Sequence, residues 1–312
     1  MRARWRIVTR VAYKRRMPLL SSPSSRRQFL AATAGAAAAS LTFPAASSGS
    51  QGGAARPLRL ALLSDTHIPA DPAERYRGFS PVENLTKVVP QVSAAKVDGL
   101  ILGGDLARLK GLPEDYARLK DLLAPLTSTL KTGMVLGNHD HRANFLQAFG
   151  ATVPAAAVQN KYATTNEAGG LRFVLLDSLL APDVTPGQLG SAQRAWLGTQ
   201  LAASTTPTVI VVHHTLGAND GELVDAEKLF EVLRPHTHVK AIMYGHSHKY
   251  EVIEREKIQL INLPAVAYNF NDSEPTGWIE SVWTPEGVDL TLRAIGGNMA
   301  ANGQTTSVHW AR

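Results

Sequence analysis

The 312-residue chain contains no cysteine. Disulfides are therefore excluded, and any metal site must use imidazole, carboxylate or amide oxygen rather than thiolate. Residues 1–56 contain no aspartate or glutamate but ten lysines and arginines. The pI of about 9.6 thus belongs to the leader. Residues 57–312 hold 22 basic and 26 acidic side chains, a net charge of −4. A body of that sign offers no general attraction to a polyanion, so no nucleic-acid duplex is expected as a partner. No apolar run reaches the roughly 20 residues of a membrane span, and no stable membrane anchor is expected. With 44% hydrophobic residues, 25 glycines and 18 prolines, the composition excludes a disordered chain.

The leader has its own pattern. "SSRRQFLAATAGAAAASLTFPAASS" places Arg26 and Arg27 before Phe29-Leu30, then an alanine-rich apolar run, then small residues. That is the layout of a twin-arginine secretion signal, which predicts export through the twin-arginine machinery to a periplasmic or extracellular location. The signal occupies 1–46, with Met17 as an alternative start, and Gly/Ser/Gln-rich residues 47–56 read as a linker. Residues 57–312 read as one domain.

From residue 57, apolar and β-branched runs at 58–63, 98–102, 133–136, 172–176, 207–212 and 239–243 predict strands. Helical spacing lies between them. Over 81–96, Val82, Leu85, Val88 and Val89 share a face; over 113–126, Tyr116, Leu119, Leu122 and Leu123 do; over 191–204, Trp196, Leu197 and Leu201 do. Gly169-Gly170 marks a hairpin turn. Short strands with turns follow at 250–254, 258–263, 277–283 and 288–294. The alternation predicts an α/β fold, a pair of mixed sheets covered by helices.

Five of these strands finish in residues able to bind a metal. They end in Asp65-Thr66-His67, Gly104-Asp105, Asn138-His139-Asp140-His141, His213-His214 and His246-Ser247-His248. Seven of the ten histidines fall in these clusters. Ligands in open α/β sheets bind beyond the carboxyl ends of strands, so strands sharing one sheet would bring the clusters to one edge. Imidazole, carboxylate and amide together suit Mn, Fe, Zn or Co. Seven donors exceed the needs of one ion, and two ions bridged by a carboxylate is the economical reading.

The ordered set Asp65-x-His67, Gly104-Asp105, Gly137-Asn138-His139-Asp140, His213 and Gly245-His246-x-His248 resembles the signature of the calcineurin-like metallophosphoesterases. The resemblance implies a four-layer α/β/β/α sandwich of two mixed sheets, with two divalent or trivalent transition-metal ions as cofactors. It implies that Asp65, His67 and His248 hold one ion, that Asn138, His213 and His246 hold the other, and that Asp105 bridges them. It further implies that His139 meets the substrate phosphate and assists the leaving oxygen, that Asp140 orients His139, and that a metal-bound hydroxide attacks phosphorus in line. Residues 104–123, 137–150, 191–203 and 261–278 resemble the bacterial class III cyclic-nucleotide phosphodiesterase and glycerophosphodiesterase branch. Thr215-Leu216 stands where that branch commonly has prolines. Arg108 stands where purple acid phosphatases carry a tyrosine, which disfavours an Fe(III)-phenolate enzyme.

The expected activity is hydrolysis of small phosphodiesters. A phosphomonoesterase or nucleotidase on the same site, and a non-catalytic binding scaffold, are the alternatives. His141 and His214 read as rim or packing residues, Arg142 as a first-turn helix residue or a phosphate contact. His236-Thr237-His238 mimics a metal motif but precedes its strand, which places it at the far end of the sheet. Trp278 and Trp283 read as core.

Overall fold

The computed structural model describes residues 56–151, 155–217, 219 and 221–311. The twin-arginine leader, the proposed start at Met17 and the linker up to residue 55 lie outside the described residues. The first strand, β1 (Leu58–Leu63), is buried on both faces, and its alternation separates two cores. Ala61 and Leu63 pack towards helices, whereas Leu60 and Leu62 pack towards a second sheet. Successive side chains of a strand point to opposite faces, so one apolar run serves both layers. Each fully buried leucine there contributes about 2 kcal/mol.

Helices α1 (Pro81–Ala94) and α2 (Pro113–Thr127) cover the outer face of the first sheet with Leu85, Val88, Val92, Tyr116, Leu119 and Leu123. Ser80 caps α1 by accepting from the Glu83 amide, and Pro81 suits the first helical turn. That sheet has the order β12-β11-β10-β1-β2-β3. It is built from β2 (Gly99–Leu102), β3 (Lys131–Met134), β10 (Pro275–Thr284), β11 (Gly287–Gly297) and β12 (Thr305–His309) around β1. Strands β1, β2 and β3 are parallel, and β10, β11 and β12 continue antiparallel.

The second sheet has the order β4-β5-β6-β7-β9-β8. Its members are β4 (Thr164–Ala168), β5 (Leu171–Leu175), β6 (Thr208–Val211), β7 (Val239–Tyr244), β8 (Glu251–Arg255) and β9 (Ile258–Asn262). Strands β5, β6, β7 and β9 are parallel. Helices α4 (Ser191–Ala202) and α5 (Ala226–Leu233) cover its outer face with Leu197, Leu201, Leu229 and Phe230. Phe173, Leu175, Val209 and Val211 face the first sheet. The layers are helix, sheet, sheet, helix, as the resemblance implies.

The five chemistry-bearing strands are divided between the two sheets: β1, β2 and β3 lie in the first, β6 and β7 in the second. The two sheets align so that these carboxyl ends meet. Trp278 and Trp283 are core residues, each with its indole N–H bonded, to Gln91 and Ser281. Among the described residues no helix is long and apolar enough to cross a membrane.

Candidate metal centre

The five strand ends bring Asp65, His67, Asp105, Asn138, His213, His246 and His248 into one site. Asp65, His67 and His248 present donor atoms within 4.8 Å of one another, and so do Asp105, His213 and His246. The Asp105 carboxylate joins the groups, with Oδ2 3.2 Å from His213 Nε2 and 3.7 Å from His67 Nε2. Asp65 Oδ1 is 3.3 Å from His248 Nε2. Asp65, His67, Asp105, Asn138, His213 and His248 are all buried. Asp65, His67, Asp105, His246 and His248 adopt left-handed backbone conformations, with φ of 52°, 42°, 47°, 70° and 54°. That conformation costs an L-residue about 1–2 kcal/mol. The strands must turn sharply at their ends for these side chains to converge.

Close approach of the sheets depends on glycines. Gly104 has φ +98°, and a Cβ there would meet the His213 ring; a Cβ on Gly137 would enter the Asp105 carboxylate.

Hydrogen bonds fix which nitrogen each imidazole turns to the site. His213 Nδ1 donates to the Gly103 carbonyl at 2.8 Å, and His248 Nδ1 to the Tyr268 carbonyl at 2.6 Å. His67 Nδ1 lies 3.3 Å from the Arg108 carbonyl. A carbonyl only accepts, so these Nδ1 atoms carry the proton and Nε2 offers a lone pair. His246 is reversed: Nε2 donates to the Gly221 carbonyl at 2.9 Å, leaving Nδ1 for the site. The lone-pair nitrogens of His67 and His248 face each other at 3.1 Å. His213 Nε2 and Asn138 Oδ1 are buried with no hydrogen-bond partner.

The electrostatics follow from burial and the two carboxylates. Burial pushes His67 down to about 3 and His246 down to about 4. Burial would lower His213 too, but Asp105 and Asp65 outweigh it and push it up to about 9. Burial would raise Asp65 and Asp105; neighbouring histidines, His248 and His213 foremost, hold both below the usual carboxylate range. Within the protein the neighbouring histidines offset the two buried carboxylates. A divalent cation would take over that role and satisfy the orphaned Nε2 and Oδ1 atoms, so the donor set fits divalent metal ions.

His139 lies beside this cluster, its ring centroid 5.2 Å from that of His67. Its amide donates to Asp105 Oδ1 at 2.8 Å, and its Nδ1 to the Leu109 carbonyl at 2.9 Å, which leaves Nε2 available to an ester. Asp183 Oδ1 is 3.8 Å from Nδ1.

Asp140 does not orient His139. Its carboxylate accepts from the amides of Gly137, Leu106 and Ala107 at 2.9–3.2 Å and from the Tyr116 hydroxyl at 2.9 Å. Buried next to Asp105, Asp140 is pushed up to about 6 by burial first and that charge second, against the pull of the amides. It pins the loop after β2 to the loop after β3, the two that carry Asp105 and Asn138. Asp140→Ala leaves three buried amides and the Tyr116 O–H without an acceptor, although that hydroxyl still accepts from the His141 amide. Stability should fall by about 3 kcal/mol or more, a drop in thermal midpoint of roughly 6–12 °C. A residue acting only on His139 would lower turnover at an unchanged midpoint.

The remaining readings separate cleanly. His141 caps helix α3 (Arg142–Phe149), its Nδ1 accepting from the Asn144 amide at 3.3 Å. Arg142 pairs with buried Asp177 and the Leu179 carbonyl. His214 is buried with both nitrogens used, Nε2 on the Thr185 carbonyl and Nδ1 on the Ser178 hydroxyl. Its ring packs 4.7 Å from His246, so it supports that donor. His236 and His238 sit before β7 and belong to none of the metal-donor groups found among the described residues. Sequence reading missed Tyr268, whose carbonyl orients His248 and whose ring stacks on His67 at 4.9 Å. The aromatic pair in "AYNFND" was its available signal.

A four-layer sandwich gathering two adjacent groups of metal donors, buried except for half-buried His246, at facing sheet ends defines a metal-dependent phosphoric ester hydrolase. The chain belongs to the calcineurin-like phosphoesterase family, whose model matches residues 58–250. A 3′,5′-cyclic-nucleotide phosphodiesterase from Nostoc sp. is 27% identical over 229 residues, covering 70% of this chain and 82% of that protein. A 3′,5′-cyclic adenosine monophosphate phosphodiesterase from Pseudomonas aeruginosa is 27% identical over 221 residues, covering 68% and 77%. In fold, the chain is similar to a dimetal phosphatase from Danio rerio, with a TM-score of 0.63 at 17% identity over 81% of this chain and 99% of that one.

Proposed function

We propose that the chain is an exported phosphodiesterase with a dinuclear centre. Asp65, His67 and His248 hold one ion, Asn138, His213 and His246 the other, and Asp105 both. The observation that carries the reading is the Asp105 carboxylate, within 3.2 Å of His213 Nε2 and 3.7 Å of His67 Nε2, between the two donor groups. Imidazole and carboxylate donors without sulfur suit Mn, Fe, Zn or Co. Such a pair of ions, when bound, acidifies water and neutralises charge on phosphoryl oxygens.

The chain's own residues do the rest. The carbonyls of Gly103, Arg108, Tyr268 and Gly221 hold each imidazole in one tautomer, so binding needs no reorientation. His139, tied through its amide to Asp105, presents Nε2 to the ester and, as the imidazolium with Nδ1–H held on the Leu109 carbonyl, gives the Nε2 proton to the leaving oxygen. Small phosphodiesters as substrates are supported by the cyclic-nucleotide phosphodiesterases among the relatives. Export is supported by the Arg26-Arg27 pattern alone.

The test is hydrolysis of bis- and mono-p-nitrophenyl phosphate by Mn(II)-loaded protein, with and without a chelator. The diester should turn over faster by roughly tenfold or more, a barrier difference of about 1.4 kcal/mol, and chelation should abolish both activities. Preference for the monoester would favour a phosphomonoesterase. Failure on both esters would leave a binding scaffold.

A further inference from the structure

Beside the donors lies a group of aromatic rings that the hydrolytic reading leaves without a role. Phe270 stacks on His248, centroids 4.2 Å apart and planes 27° from parallel. Its ring meets Tyr268 in a T-shape at 5.7 Å, yet 49% of the residue is exposed. Tyr76 packs on Tyr268 at 4.6 Å, 40% exposed, with the Arg108 guanidinium 5.2 Å from its centroid. Tyr268 itself is buried between His67 and His248. The rings form a continuous wall from the metal donors out to solvent.

An isolated exposed phenylalanine needs no explanation. Two features set this one apart. Its inner side rests on a proposed ligand, so its open surface starts where the organic part of a bound ester would leave the phosphate. Its loop is also held in place. Val266 and Ala267 donate to the carbonyls of Ser64 and Asp65, the Asn269 amide group donates to the Glu274 carbonyl, and the Glu274 amide to the Asn271 carbonyl. A rigid aromatic surface binds a flat partner at low entropic cost.

We infer that Phe270, with Tyr76 at its side, is a subsite for a flat ring in the organic group of the ester. It selects phosphoesters bearing a nucleobase or similar heterocycle over those bearing an aliphatic polyol. The inference rests on the phosphoesterase reading and decides within it between nucleotide-type and glycerol-type substrates. The wall is apolar, with Arg108 engaged by Glu74, so stacking rather than hydrogen bonding recognises the ring. Removing such a stacking side chain typically costs binding of a base roughly 10-fold.

Calorimetry on the Mn(II)-loaded protein tests this with adenosine 5′-monophosphate and ribose 5-phosphate, which share the phosphoester and differ by the base. The wild type should favour the nucleotide, and Phe270→Ala should reduce the ratio of the two affinities roughly tenfold. Phe270→Leu, which keeps apolar cover over His248, should also lower the ratio, with metal content unchanged. Equal affinities in the wild type, or an unchanged ratio in both variants, would overturn the subsite. A parallel fall of both ligands together with metal loss would also overturn it, since Phe270 would then serve only to support His248. Hydrolysis of bis-p-nitrophenyl phosphate by the wild type reports separately on the phosphoesterase reading. If that fails while nucleotide binding persists, the reading falls and the subsite stands.

Discussion

Asp105→Ala is expected to reduce turnover by roughly a thousandfold or more, about 4 kcal/mol of barrier, and to strip the protein of bound metal. Asp105 lies closest to both donor groups, against His213 and His67, while its Oδ1 accepts the His139 amide. Alanine removes the proposed shared ligand, one of two buried counter-charges and the anchor of the proposed acid together. Four imidazoles would then face Asp65 alone, which disfavours a second divalent ion in that space. The check is metal content and diester turnover on the same preparation. Full metal occupancy with high activity would remove Asp105 from its bridging role.

His139→Ala should act differently, lowering turnover by roughly 10²–10⁴-fold with metal content and thermal midpoint close to the wild type. The side chain makes one bond to the protein, from Nδ1 to the Leu109 carbonyl, and it is partly exposed, so its loss leaves little unsatisfied. The size of the loss should depend on the leaving group. An alkoxide needs a proton as it departs, whereas p-nitrophenolate scarcely does, so alkyl esters should suffer more. An equal loss for both kinds of ester would assign His139 to holding the phosphate rather than to proton transfer. Retention of full activity would remove it from the reaction.

The donors were legible because strands buried on both faces read as unbroken apolar runs, which makes a polar residue at their ends conspicuous. His213 follows such a run directly, Asp65 after Ser64, and Asp105 after Gly103-Gly104. Sheet membership was not legible, since strand pairing is long-range and β1 reads no differently from β6 in isolation. Helix α5 does show its period, in Ala226, Leu229, Phe230 and Leu233, but lay among polar residues that masked it. Strand β12 has a single buried residue, Val308, and exists because β11 offers it an edge. Asp140 was misassigned for a related reason. A carboxylate next to a histidine in sequence suggests a pair, whereas adjacent side chains in an extended or turning backbone diverge, and Asp140 turns inward to amides 33 and 34 residues away. Phe270 was missed because exposure is not written in a sequence.

The central claim is that two ions share one centre across the two sheets. Anomalous diffraction from crystals of the Mn(II)-loaded protein tests it most directly. The account predicts two peaks flanking the Asp105 carboxylate, one against Asp65, His67 and His248, the other against Asn138, His213 and His246. A single fully occupied peak, with Asp105 bound on one side only, would contradict it.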